Sequence, residues 1–179
     1  MVMKHPWHEI SFGENAPDLV NAVIEIPKDC QLKYELDKDS GMLKLDRVLY
    51  SAVHYPGDYG FIPRTLWSDG DPLDIIILTG RPVVPLTLAE VRPIGVFKMI
   101  DGGEEDDKIL AVYECDPRFK EFRDITDVPE HTLIEIKHFF ESYKHLQGKT
   151  CKILKMENAV AAKQVIEKAI EMYNTDWKK

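Results

Sequence analysis

The sequence predicts an α+β fold, mainly β, in which a strongly bent sheet or small barrel carries helices on its outside. Three observations lead there. Short alternating or apolar runs broken by turns fill the chain as far as Glu114. Two later stretches space their apolar residues by three and four. No linker, repeat or break in composition separates the two kinds of segment, so residues 1–179 are expected to form one domain. Strands in sequence followed by helices are the α+β order.

Asn21 to Ile26 is the first strand, stopped by Pro27. Leu32 to Asp37 alternates, with Leu32, Tyr34 and Leu36 on one face and Lys33 and Glu35 on the other. Lys38-Asp39-Ser40-Gly41 is a turn into Met42 to Leu49, which makes a hairpin. Tyr55 to Gly60 is expected to be a rigid, Gly-rich loop. Further strands are expected at Asp74–Leu78, Val91–Met99, Ile109–Glu114 and Thr150–Lys155. From Val128 to Leu146, residues Leu133, Ile136, Phe139, Phe140, Tyr143 and Leu146 form a helical stripe, with Asp127 and Glu130 as its start and Gly148 as its end. Ala159 to Tyr173 is a second helix, with Asn158 as its cap.

The chain has 179 residues, 44% hydrophobic and 30% charged, enough for a proper core. A net charge of −8 argues against a nucleic-acid binder, which needs a basic surface to displace phosphate counterions. It does not argue against a small anionic ligand, because bound metal inverts the local field. Cys30, Cys115 and Cys151 are odd in number and far apart, so neither a disulfide framework nor a zinc ribbon is expected, and a cytoplasmic location is the default. The N-terminal tract from Met1 to His8 has no apolar core of a leader, and no stretch reaches membrane length. His5 and His8 are read as surface residues or incidental ligands of a flexible end.

The segment with the most chemistry is Asp69-Gly70-Asp71-Pro72-Leu73-Asp74, followed by Ile75-Ile76-Ile77-Leu78. Its three carboxylates repel one another unless cations hold them. The Gly and Pro make a tight turn, and the apolar run reads as a buried strand anchoring it. Hard cations such as Mg²⁺ take oxygen ligands, usually one or two carboxylates with waters and substrate phosphates. A solvated acidic turn is the plainer alternative. Asp101 to Lys108 is a hairpin loop with five carboxylates, either solvated or a second contributor to a metal site.

Charged residues within core-like patterns add to this. Arg47 continues the parity of Leu43 and Leu45, and Glu25 interrupts Ala22-Val23-Ile24-Glu25-Ile26-Pro27; each needs a partner, and a structural ion pair is the alternative to a site. Lys33 and Glu35 alone read as an exposed face. Tyr55, Tyr59 and Tyr143 alone read as packing, although a tyrosine hydroxyl also donates to phosphate or water. There is no phosphate loop, dinucleotide fingerprint, nucleophile elbow or H-E-x-x-H, and His54, His131, His138 and His145 make no zinc grouping.

These blocks together resemble the magnesium-dependent first type of soluble inorganic pyrophosphatase, in its shorter prokaryotic form. The resemblance runs from Val23 to about Ala162. It rests on D-G-D-P-x-D, I-E-I-P at Ile24–Pro27, K-Y-E-L-D at Lys33–Asp37, D-R at Asp46–Arg47, Y-P-x-D-Y-G at Tyr55–Gly60, R-P-I-G-V-x-K-M-x-D at Arg92–Asp101 and H-F-F-E-x-Y-K at His138–Lys144. One departure is Lys155-Met156, where the family usually has Gly-Trp; altered packing or surface is expected there.

The resemblance implies a five-stranded closed barrel of the OB type with flanking helices, and hydrolysis of pyrophosphate to two phosphates with several Mg²⁺ ions, which Mn²⁺, Zn²⁺ or Co²⁺ can replace. It implies that Asp69, Asp74, Asp101 and Asp106 hold metal and that Asp71 handles the proton of the attacking water, with Tyr59 helping to hold that water. Lys33, Arg47, Tyr59, Lys108, Tyr143 and Lys144 would contact substrate, and Glu25, Glu35 and Tyr55 would support them. It also implies a homo-oligomer, a hexamer by preference. The rival readings are a catalytically silent homologue that binds metal or polyphosphate, and a metal buffer.

Overall fold

Five strands close into a ring. In the computed structural model, which describes residues 4–177, β1 (Val20–Ile26) pairs with β4 (Asp58–Phe61), β4 with β5 (Asp74–Leu78), and β5 in parallel with β8 (Lys108–Tyr113). Strand β8 pairs with the long β6 (Leu88–Asp101), and β6 returns to β1 through Val20↔Val91 to Val23↔Leu88. Outside the ring, β2 (Leu32–Leu36) and β3 (Leu43–Val48) form a separate hairpin, the two-residue β7 (Glu104–Glu105) folds back on the end of β6, and β9 (Cys151–Asn158) pairs along β6. Helices α1 (Glu130–Ser142) and α2 (Ala159–Asp176) pack against the sheet. The expected closed barrel with flanking helices is what the chain forms.

The unbroken apolar run Ile75–Leu78 follows from burial on both faces of β5. Ile76 and Leu78 join a core with Leu110, Val112 and α1 residues Ile136, Phe139 and Phe140. Ile75 and Ile77 join a second core with Ile109, Ala111 and α2 residues Ala162, Val165, Ile166 and Ala169. Asn158 caps α2, its side chain accepting from Ala161 N at 3.1 Å, as its sequence position predicts.

Several expectations are corrected. The segment from Asp58 is a strand rather than a loop, because β1 and β4 approach so closely that a Cβ on Gly60 would lie 1.9 Å from the Val23 carbonyl oxygen. Helix α1 starts later and stops earlier than the expected Val128 to Leu146. Pro129 is its cap, while Asp127 closes a capping box with Asp124 on the preceding 3₁₀ turn. Leu146 falls in another 3₁₀ turn, is exposed, and is followed by Gly148 in the left-handed conformation at φ 69°. The N-terminal segment is packed, not loose: Trp7 is buried and its indole donates to Thr65 O at 2.8 Å, while the His8 ring stacks on Trp7 and lies 5.8 Å from Tyr173. Met1–Met3, where the leader reading starts, lies outside the described residues. Lys155 and Met156 sit exposed on β9, with Lys155 paired to Glu157 at 2.7 Å, so the departure there changes surface.

Candidate active site

The beginnings of β5 and β8 and the end of β6 lie at one end of the ring, and each carries a charge there. Asp74 opens β5 directly beside Lys108, which opens β8. Asp101 ends β6, and Gly102-Gly103 turn the chain back so that Asp106 arrives next to Lys108. Both glycines have positive φ, 60° and 99°, which side chains with a Cβ rarely adopt. The cleft formed there has a volume of about 510 Å³. Its walls include Glu25, Lys33, Glu35, Tyr59, Asp69, Asp71, Asp74, Asp101, Asp106, Lys108, Tyr143 and Lys144. Twelve of the fourteen residues expected at the site are thus on one cleft; Arg47 and Tyr55 are not on its wall.

The acidic turn is held by its own first carboxylate. Asp69 Oδ1 accepts from the Asp71 amide at 3.0 Å, Gly70 supplies φ 80°, and Thr65 Oγ1 accepts from Leu73 N at 2.9 Å. The Lys108 ammonium, almost wholly buried, bridges Asp74 and Asp106. Tyr59 donates to Asp74 Oδ2 at 2.6 Å. Lys144 pairs with Asp101, whose other oxygen lies 3.2 Å from the Cys151 thiol. The remaining loop acids are elsewhere: Asp107 is buried on Lys98 at 2.5 Å, and Glu104 and Glu105 are exposed.

The charge in this cleft is not balanced by the protein. Burial, with Asp74 alongside, pushes Glu25 up to about 8. Burial and the surrounding carboxylates Asp106, Asp74 and Asp71 push Asp69 up to about 7. Burial also raises Asp74, against the pull of Lys108. Asp101 is held below the usual carboxylate range: burial raises it, but the Lys144 ammonium and the Cys151 thiol outweigh that. Lys108 is raised above the ordinary range for a lysine, burial being overcome by its two aspartates. A buried cluster of this kind draws in cations, and hard oxygen donors suit Mg²⁺. Among the described residues no three carboxylates meet at ligand spacing, and Lys108 and Lys144 stand on Asp74, Asp106 and Asp101.

The cationic wall comes from the β2–β3 hairpin and the end of α1. Lys33, half-buried, pairs with Glu35 at 2.9 Å and Asp46 at 3.2 Å, and Asp46 also holds Arg47. This corrects the reading of Lys33 and Glu35 as an exposed face. Arg47 does not lie on the face of Leu43 and Leu45 that its spacing predicts. Lys33 pairs with Arg47 but Tyr34 pairs with Leu45, so a bulge at Asp46 reverses the alternation, and Leu45 is itself exposed. Arg47 is half-buried, and its Nε is buried with no hydrogen-bond partner among the described residues. Among the described residues Glu25 makes no ion pair, against expectation; it accepts from Leu36 N at 2.6 Å instead. Tyr55 is a buried wall behind the site, its ring 5.4 Å from Tyr59 and 4.7 Å from Phe139. Tyr143 is both core and cleft wall.

Among the neighbours outside the expected set are Asp46, Cys151, Trp7 and Lys38. Asp46 was visible only as half of the D-R pair. Cys151 reaches Asp101 through β6–β9 pairing, which carries no local signal. Trp7 and Lys38 line the cleft from the N-terminal segment and the hairpin turn. A larger cleft of about 620 Å³, lined by His54, Tyr55, Phe119, Phe122 and His138 among others, lies beyond Tyr55 and holds no such carboxylate cluster.

The family model for inorganic pyrophosphatase matches residues 22–174. Soluble inorganic pyrophosphatase 2 of Chlamydomonas reinhardtii is 49% identical over 169 residues, covering 94% of this chain and 88% of that protein. The soluble inorganic pyrophosphatase of Oryza sativa subsp. indica is 48% identical over 172 residues, covering 96% and 80%. Among solved structures, the Thermus thermophilus inorganic pyrophosphatase superposes with a TM-score of 0.89 at 44% identity, covering 92% of this chain and 97% of that one. The Helicobacter pylori enzyme gives 0.88 at 43%, covering 93% and 99%. With the family model spanning most of its length and the ring of strands shared, this chain belongs to the soluble inorganic pyrophosphatase family, whose activity is the hydrolysis of inorganic pyrophosphate.

Proposed function

We propose that the chain hydrolyses pyrophosphate by dividing the cleft into an acidic wall that holds Mg²⁺ and a basic wall that holds phosphate. Asp69, Asp74, Asp101 and Asp106 would be the metal ligands, with several ions per site and Mn²⁺, Zn²⁺ or Co²⁺ able to replace Mg²⁺. The observation that carries this reading is the set of carboxylates, Glu25, Asp69 and Asp74, gathered on one cleft and raised by burial together with mutual crowding. When bound, divalent ions supply charge neutralisation and make a water more acidic.

The residues then have separate tasks. Asp71, half exposed at the end of its turn, takes the proton of the attacking water. Tyr59, anchored on Asp74, holds that water in place. Lys33, Arg47, Lys108, Tyr143 and Lys144 bind the phosphates and neutralise the charge that grows on the leaving group. Lys108 and Lys144 are already in the cleft on Asp74 and Asp101, and would be available to phosphate if divalent ions were held by those carboxylates. Glu25, Glu35 and Tyr55 support these groups from behind, Glu35 by orienting Lys33.

The same reading takes residues 1–179 as one domain, acting in the cytoplasm as a homo-oligomer, a hexamer by preference, with no nucleic-acid or membrane partner. Light scattering tests the assembly. No helix of the described residues is long and apolar enough to cross a membrane. Phosphate release from pyrophosphate with Mg²⁺, compared between the parent and Asp71→Asn, tests the site. The variant is expected to lose turnover by far more than it loses affinity. A loss confined to affinity contradicts the role given to Asp71.

A further inference from the structure

The turn between β2 and β3 reaches across the cleft mouth to the acidic turn. Lys38 Nζ donates to Gly70 O at 3.2 Å and pairs with Asp71 Oδ1. No other side chain among the described residues holds the Asp71 carboxylate: Asp69 holds only its amide, and Trp67 N donates to its carbonyl at 2.8 Å. The backbone of Asp71 is therefore fixed by the turn, and its carboxylate by Lys38.

Lys38 is itself held. Asp37 accepts from both the amide and the hydroxyl of Ser40, and Gly41 N donates to Asp37 O at 2.8 Å, which stiffens the hairpin turn. The His5 ring lies 3.0 Å from the Lys38 carbonyl oxygen through Nε2. The ammonium stands 5.8 Å from the centre of the Trp7 ring, within cation–π range. Trp7 is tied to Thr65, the residue whose hydroxyl also accepts from Leu73 in the acidic turn. Lys38 and Asp71 thus rest on one frame, although they come from different parts of the chain.

We propose that Lys38 is a positioning residue for this hydrolysis, clamping one oxygen of Asp71 so that the other faces the attacking water. The inference rests on the role of Asp71 given above. An ammonium on Oδ1 limits rotation of the carboxylate and leaves Oδ2 as the free acceptor. Small misplacements of a proton acceptor cost turnover steeply. Lys38 stands on the acid rather than among the substrate lysines Lys33, Lys108 and Lys144, so its effect should appear in kcat and not in KM.

The test is a double-mutant cycle on phosphate release with saturating Mg²⁺, using Lys38→Met, Lys38→Gln, Lys38→Arg and Asp71→Asn. Lys38 is about half exposed, and thermal melting verifies that each variant is folded. We expect Lys38→Met and Lys38→Gln to lower kcat about tenfold with KM nearly unchanged. Lys38→Arg should restore most of the loss. On the Asp71→Asn background, Lys38→Met should have no further effect, because both act through the same carboxylate. Additive losses, a normal kcat in Lys38→Met and Lys38→Gln, or a change only in KM would each overturn the proposal while leaving Asp71 as the base. An Asp71→Asn enzyme with parental turnover would remove the base reading itself, and the clamp with it.

Discussion

Tyr59 and Lys108 share one oxygen of Asp74: the phenol donates to Oδ2 at 2.6 Å and the ammonium rests on the same atom. Tyr59 is on β4, Asp74 on β5 and Lys108 on β8, three adjacent strands of the ring. The convergence explains how a half-buried carboxylate survives beside Asp106. It also makes each donor's removal measurable.

Tyr59→Phe keeps the ring packed against Tyr55 and removes only the hydroxyl. A hydrogen bond to a charged group contributes about 1.5–3 kcal/mol, and Lys108 remains to hold Asp74, so the metal-free variant should lose about 1–2 kcal/mol in urea unfolding. Turnover should fall with it. Unchanged stability and unchanged turnover would show that the bond carries no weight.

Lys108→Met leaves Asp74 and Asp106 without their shared cation. Breaking a buried ion pair by removing one partner costs about 3–5 kcal/mol, and this loss is expected in the metal-free protein. Mg²⁺ should recover part of it, since a ligand bound only by the folded state stabilises it. Turnover should stay low after that recovery, because the phosphate contact is gone. Thermal melts with and without Mg²⁺, beside phosphate release, separate the two effects.

The raised carboxylates predict how metal-free stability changes with pH. In the folded chain burial takes Glu25 to about 8 and Asp69 to about 7. The unfolded chain releases those protons near ~4, so between about pH 4 and 8 the folded state binds more protons and stability falls as pH rises. His8 opposes this: burial lowers its imidazole, so its contribution rises with pH through the ordinary histidine range. Asp46 and Asp101, held low, matter only in more acidic solution. Comparing the parent with Glu25→Gln isolates Glu25. From about pH 5.5 to 7.5 without metal, the parent should lose more stability than the variant. Equal losses would contradict the charge crowding.

Gly60→Ala tests the packing beneath Tyr59. The added Cβ would sit 1.9 Å from Val23 O and 2.9 Å from its carbonyl carbon, so β1 and β4 would have to separate. Overpacking typically costs about 1–3 kcal/mol, and a backbone clash at this distance should exceed that. Poor soluble yield or a melting temperature far below the parent is expected, and near-parental melting would show that the ring yields easily.

The legible parts of this chain are those with local physics. Asp74–Leu78 is a strand with the bounds its apolar run predicts, and Asn158 caps the helix it precedes. The acidic turn could be read as a cation site because its spacing and its Gly and Pro are contiguous. What escaped depends on pairing between distant segments. The bulge at Asp46 reverses the parity that placed Arg47 inward, and nothing in Leu43–Val48 signals it. Strand β4 was hidden by the glycines that its close packing demands. Lys38 and Trp7 meet the acidic turn only after the hairpin and the N-terminal segment have folded over it.

The central claim is that the carboxylates of one cleft hold divalent cations for the attack on pyrophosphate. Crystals of the protein soaked with Mn²⁺ and measured for anomalous scattering test it most directly. The account predicts peaks within ligand distance of Asp69, Asp74, Asp101 and Asp106, with Lys108 and Lys144 displaced from the oxygens they now occupy. No anomalous peak in this cleft, with those two lysines still on their aspartates at saturating Mn²⁺, would contradict it.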